Sequence, residues 1–237
     1  MNVTLMLAFW RQRLTSPFRM AILLLMMTVP MLIALAAPPM AMAAINSTIG
    51  LTLVFAIGMI GQDLSSGVLQ LLFARPVRRW EYVISRWLAV ALASATFAAL
   101  QVVLVAAIAS ARGAAPPFGE LALMIGSHAL ECIGTAAVFT LLSSLVASAG
   151  DVALYAMITV GAGILSMSAQ VKGWAILGRI GGILGDALSP KISLEQLAHG
   201  LAPWAPIAAY LSTVTLCLAI AVVVMNRREL SYASSSS

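Results

Sequence analysis

The chain of 237 residues is 62% apolar and only 9% charged, against about 25% charged residues in a soluble domain, which excludes a soluble catalytic domain and marks an integral membrane protein. Its 13 Lys and Arg against 8 Asp and Glu leave a net charge of +5, an excess that in a membrane chain reflects topology and not nucleic-acid binding. A helix needs about 20 apolar residues to cross a ~30 Å hydrocarbon core, so this length holds roughly six spans and short connections.

In chain order, Val3, Leu5, Met6, Leu7, Phe9 and Trp10 against Thr4, Arg11, Gln12 and Arg13 predict a short interfacial helix over residues 1–15. The first span follows at about 17–37, with Pro17 at a helix start and Pro30 inside, where it kinks the helix. After the turn at Ala37, Pro38 and Pro39, a second span covers about 40–60. Residues 62–81, QDLSSGVLQLLFARPVRRWE, mix both charge signs with helical periodicity: Leu64, Val68, Leu71 and Leu72 share one face, Asp63, Ser66 and Gln70 the other. Pro76 ends that helix among Arg75, Arg78 and Arg79.

A third span is predicted over 82–110, a Gly- and Pro-punctuated loop over 112–119, a fourth span over 120–147 and a fifth over 152–169. Residues 170–202 hold Lys172, Arg179, Asp186, Lys191 and Glu195 among Ile, Leu and Gly. Their apolar core of 174–188 is too short for a crossing and reads as a re-entrant or interfacial outer helix. Either Ser189 with Pro190, or Ser193 with Gln196, starts a further short helix. The sixth span is about 204–225, and 226–237 is a polar tail. Together these elements make one all-α transmembrane domain over 1–237 with six transmembrane helices. Arg11, Arg13, Arg19, Arg75, Arg78, Arg79, Arg86, Arg227 and Arg228 fall on one side, and Arg112, Lys172, Arg179 and Lys191 on the other. The positive-inside rule then places both termini and 62–81 in the cytoplasm.

The fourth span carries costly residues. Glu131 lies about 16 Å of helix beyond Glu120, near mid-membrane, where a charge costs at least about 2.5–3.5 kcal/mol. His128 precedes it on the same face, so the pair reads either as part of a polar translocation lining or as a structural couple at an interface, with Gln101 and Thr135 as lesser candidates for the same lining. Cys132 and Cys217 sit in apolar runs and read as core residues, not as a disulfide or metal pair. Gly178 with Gly182 and Gly181 with Gly185 form overlapping G-x-x-x-G pairs that permit close helix approach. Ser143, Ser144, Ala147 and Ser148 read as an ordinary small packing face.

Asp63, then Gly67, Val68, Leu69, Gln70, Leu71 and Leu72, then Arg75, Pro76 and Val77, then Arg78, Arg79, Trp80 and Glu81 resemble the acidic-x-x-x-G-T-L-E-x-L-L-x-x-P-V-S-R-x-E stretch of ABC type-2 transporter permeases. The Gly67-to-Pro76 spacing is kept, and Arg86 stands for the cation usual shortly afterwards. The resemblance implies that 62–81 is a coupling helix seated on an ATPase, through Asp63, Leu64, Ser66, Gly67, Leu71, Pro76, Arg78, Arg79 and Glu81. Val68 replaces Thr and Gln70 replaces Glu, so an acidic contact is either absent or moved to Asp63 or Glu81. It also implies a non-catalytic subunit of an exporter in the inner (cytoplasmic) cell membrane, paired with a second permease copy and an ATPase dimer that holds ATP and Mg, with no cofactor in this chain. Leu64, Ser65, Ser66 and Gly67 look like an ATPase signature, but neither of the two lysines, Lys172 and Lys191, follows a Gly, so no phosphate loop accompanies them. A haem-export permease of cytochrome maturation and an ATPase-independent channel or ion-coupled carrier are the alternatives.

Overall fold

In the computed structural model, residues 3–45, 48–66, 69, 78–146, 148–172, 174–198 and 204–228 are described, and all secondary structure among them is helical. The helices are α1 (Val3–Leu14), α2 (Pro17–Ala36), α3 (Ile49–Ala56), α4 (Gly61–Ser65), α5 (Arg79–Ala111), α6 (Phe118–Leu145), α7 (Gly150–Lys172), α8 (Ala175–Leu188), α9 (Leu194–Ala198) and α10 (Trp204–Arg227), with a 3₁₀ turn at Pro38–Met40. Five of them, α2, α5, α6, α7 and α10, are long and apolar enough to cross a membrane. The expected second span at 40–60 is not a continuous membrane-length helix: turns occupy its first residues, and α3 stops at Ala56.

The antiparallel pair α5 and α6 forms the centre, and α1, α2, α3 and α10 pack around it. Ala89, Ala91, Ala93 and Ala98 on α5, and Gly134, Ala136 and Ala137 on α6, are buried. Such small side chains let backbones approach closely, which lipid-solvated helices need because no hydrophobic force drives them together. The larger apolar cluster, with Phe55, Tyr82 and Phe139, lies toward the end of the bundle that bears α1, α4 and the C-terminus of α10. This is called the terminal end below. A smaller cluster of Ala34, Ala41, Ile45, Val102, Val105 and Ala109 lies toward the opposite end. On the periphery, α7 exposes Met157, Val160, Ile164 and Met167, an apolar face suited to hydrocarbon.

The break between α3 and α4 is stitched to three other elements. Gly58 turns the chain at φ +60°. The Ile57 carbonyl accepts from Arg19 Nη2 at 3.2 Å, and the Gly58 N–H donates to Asp151 Oδ2 at 2.9 Å. The N–H groups of Ile60 and Gly61 both donate to Ser143 Oγ, at 2.9 and 3.0 Å, and the Gly61 carbonyl accepts from the Ser148 N–H at 2.8 Å. Broken helix is tolerated at membrane depth only where protein groups satisfy the freed backbone. Ser143, read from sequence as a packing residue, is one of those groups.

Residues 174–198 fold back against the bundle. α8 runs back along α7 with Gly178 beside Ala169 and Gly181 against Ser166 and the Ala162 carbonyl, and the chain then returns along α6. Pro190 crosses at Gly134, and Leu194 reaches Gly126 and donates its N–H to Ser127 Oγ at 3.1 Å. α9 begins directly after Ser193, so Ser193 and not Ser189 precedes the short helix.

Candidate functional sites at the two ends

At the terminal end, most of the predicted coupling helix, including Gly67, Leu71 and Pro76, lies outside the described residues; its two flanks are described. Asp63 opens the first turn of α4 and points inward, 9% exposed. Its Oδ2 accepts from the Tyr82 hydroxyl at 2.6 Å and pairs with Arg86 Nη2. The Arg86 guanidinium lies 3.6 Å from the centroid of the Phe9 ring, which itself meets Tyr82 edge-on at 5.8 Å. Asp63 therefore faces α5, with Phe9 of α1 stacked on its Arg86 partner. Leu64 packs partly buried on the core, whereas Ser66 is exposed.

On the far flank, Arg78 is the N-cap of α5, and Arg79, Trp80 and Glu81 make its first turn. Arg78 and Trp80 are exposed and Glu81 is partly buried. Arg79 Nη1 donates to the carbonyls of Met225, Asn226 and Arg228 at 2.9, 3.0 and 2.9 Å. A helix C-terminus leaves its last carbonyls unpaired and carries partial negative charge, so this guanidinium caps α10. Arg228 Nη2 similarly reaches the Leu145 carbonyl at the end of α6, at 2.9 Å.

At the opposite end a cavity of about 650 Å³ opens between α6, the 41–45 turn, the start of α10 and the 191–197 segment. Both His128 and Glu131 border it. Glu131 Oε2 accepts from the Thr48 N–H at 3.1 Å and from the Thr48 hydroxyl at 2.8 Å, and His128 Nδ1 lies 3.5 Å from the same oxygen. His128 Nε2 is buried with no hydrogen-bond partner among the described residues. Sequence spacing found this pair; it could not find Thr48, which is 83 residues distant from Glu131.

Gln101 and Thr135 do not border the cavity. Gln101 Nε2 donates to the Met26 carbonyl at 3.1 Å. Met26 is the residue four before Pro30, which has no N–H to offer it, so Gln101 fills a vacancy in the α2 ladder. Thr135 is fully buried within the helix packing. Cys132 and Cys217 are free thiols, and among the described residues no three His, Cys, Asp or Glu side chains gather as a metal site.

Fold and sites together define a multi-pass, all-helical membrane protein with a polar-floored cavity at one end and an ion-paired knot at the other. No family model, curated protein or solved structure matches the chain.

Proposed function

We propose that the chain is the permease subunit of an ATP-driven ABC-type exporter, forming a translocation path with a second permease copy while a separate ATPase subunit holds ATP and Mg and hydrolyses the nucleotide. The motif resemblance over 62–81 suggests the family. The observation that carries the reading is mechanical: both flanks of that segment are tied to long helices. Asp63 joins the first flank to α5 through Tyr82 and Arg86, and Arg79 on the second flank clamps the end of α10. A push delivered between them reaches α5, and through it α2, α3 and α6, as well as α10. Closure of the ATPases would tilt these helices and open the path at the opposite end, with the 189–198 segment beside the exit. Ser66 and Arg78 are the exposed described positions nearest the expected contact. Asp63 and Arg86 act beneath them as positioning residues.

The test is ATP hydrolysis by the complex that copurifies with the chain from its native membranes. Ser66→Arg together with Arg78→Glu is expected to lower hydrolysis at least about fivefold, the lower range of coupling energies between sites, with membrane levels of the chain unchanged. Transport by the purified chain alone, in liposomes free of any ATPase, would overturn the reading in favour of an autonomous carrier using His128 and Glu131.

A further inference from the structure

The terminal end turns its acids inward. Among the described residues there, Asp63 is bonded to Tyr82 and Arg86. Asp151 has no exposed surface and accepts from the N–H groups of Gly58 and Val152, each at 2.9 Å. Glu81 is partly buried. The cations divide differently. Arg86 meets Asp63, and Arg19, Arg79 and Arg228 reach backbone carbonyls, while Arg11, Arg78 and Arg227 are exposed. Fully exposed charge on this face is therefore positive throughout the described residues. At the opposite end an exposed Glu120 accompanies the exposed Arg112 and Lys191, so the single sign is particular to the terminal face.

The depth of these cations follows from what surrounds them. Helix α1 packs on the start of α5, where Phe9 meets Tyr82 edge-on at 5.8 Å and lies against the Arg86 guanidinium, with Met6 and Trp10 partly buried on the core. Away from that inner face, Leu7, 51% exposed, and Arg11 stand four residues apart on one side of the helix. Phe18, in the first turn of α2, is 72% exposed, and Trp80, in the first turn of α5, is 41% exposed. Aromatic and apolar side chains exposed at the ends of crossing helices mark the membrane–water interface. Arg11, and Arg227 in the last turn of α10, thus stand at the level of the lipid phosphates.

We infer that this face binds acidic phospholipids, with Arg11 and Arg227 set against their phosphates and Leu7, Phe18 and Trp80 against the adjoining acyl region. A guanidinium matches a phosphate with two parallel hydrogen bonds, and a lipid surface of net negative charge attracts each arginine beside it. A zwitterionic headgroup would bring its ammonium to a face that offers no fully exposed carboxylate among the described residues. The surface stands apart from the permease reading, because lipid binding is a property of the chain without any ATPase, and neither Arg11 nor Arg227 belongs to the expected coupling contact.

The experiment uses the full purified chain in nanodiscs of mixed phosphatidylcholine and phosphatidylglycerol, with one lipid or the other brominated so that it quenches nearby tryptophans. Trp174→Phe and Trp204→Phe silence the two tryptophans outside the terminal half, leaving Trp10, Trp80 and Trp87 as reporters. The association constant for phosphatidylglycerol is expected to exceed that for phosphatidylcholine at least about fivefold, the factor one arginine contributes beside an anionic surface, and the ratio should fall toward one at high salt. Arg11→Gln with Arg227→Gln should remove most of the preference, and Arg11→Lys with Arg227→Lys should retain it. Both positions are exposed, and equal melting temperatures in phosphatidylcholine alone check that the variants fold. Equal quenching by the two lipids, or an undiminished preference in the double Gln variant, would overturn the inference. An unchanged quenching ratio together with loss of copurifying ATP hydrolysis in that variant would also overturn it, and would assign the face to an acidic protein surface. Loss of hydrolysis on changing Ser66 and Arg78 would leave it untouched.

Discussion

Gln101 shows how one side chain takes its meaning from another element. Its depth in an apolar helix suggested a translocation lining, yet its amide covers the Met26 carbonyl left open by Pro30. The two facts legible in sequence, a proline within a span and a polar residue within another, belong to one hydrogen bond between positions 75 residues apart. Gln101→Leu should therefore uncover a buried carbonyl and cost about 1–3 kcal/mol. Adding Pro30→Ala restores an N–H four residues beyond Met26, so the double variant should be more stable than Gln101→Leu alone. Thermal unfolding of the four chains in detergent measures this cycle, and the absence of rescue would show that Gln101 acts elsewhere. His128 and Glu131 were visible from sequence because charge is rare in such helices; Thr48, which holds the carboxylate, was not, since a threonine beside an apolar run carries no comparable signal.

Among the elements, the broken α3–α4 unit and the α7–α8 hairpin depart most from a plain hydropathy reading. Apolar content predicted a crossing at 40–60, but it is blind to a break whose backbone groups are met by Arg19, Ser143 and Asp151 from other segments. For the hairpin, spacing identified two G-x-x-x-G pairs without saying which glycines make contact. A Cβ at Gly181 would stand 2.4 Å from Ser166 Oγ and 2.7 Å from the Ala162 carbonyl, whereas Gly182 and Gly185 have nothing within 4 Å. Each pair thus contributes one contacting member, Gly178 or Gly181. Gly181→Ala should push α8 off α7 and cost about 1–3 kcal/mol, as overpacking does. Gly185→Ala should be neutral or slightly stabilising, because Ala is the better helix former by about 1 kcal/mol. Equal melting temperatures for the two variants would contradict the close approach seen at Gly181.

For the molecule as a whole, charge distribution and helix packing point the same way. Among the described residues, Arg11, Arg13, Arg19, Arg78, Arg79, Arg86, Arg227 and Arg228 belong to the terminal end, while Arg112, Lys191 and Lys172 at the end of α7 belong to the opposite end and Arg179 lies on α8. The positive-inside rule then predicts a cytoplasmic terminal end. With Cys132 and Cys217 changed to Ala, a single cysteine placed at Gly113 should react with a membrane-impermeant maleimide in intact cells. One placed at Ser65 should react only after permeabilisation, and the reverse pattern would invert the orientation. In that orientation the cavity with His128 and Glu131 lies toward the outer side, and the Asp63–Arg86 pair toward the cytoplasmic side.

By itself the sequence determined the class of solvent this chain meets, the number of long apolar helices to within the one that is broken, a short helix at the position of α1, a short helix over 174–188 and the pairing of His128 with Glu131. These follow from composition and periodicity, which act locally along the chain. Only the tertiary structure decided that Asp63 turns inward to Tyr82 and Arg86, that Arg79 caps α10, that Ser143 holds a helix break and that Gln101 repairs α2. Each of these is a hydrogen bond or ion pair between segments far apart in sequence, set by which helices pack side by side, and neither hydropathy nor spacing carries that information.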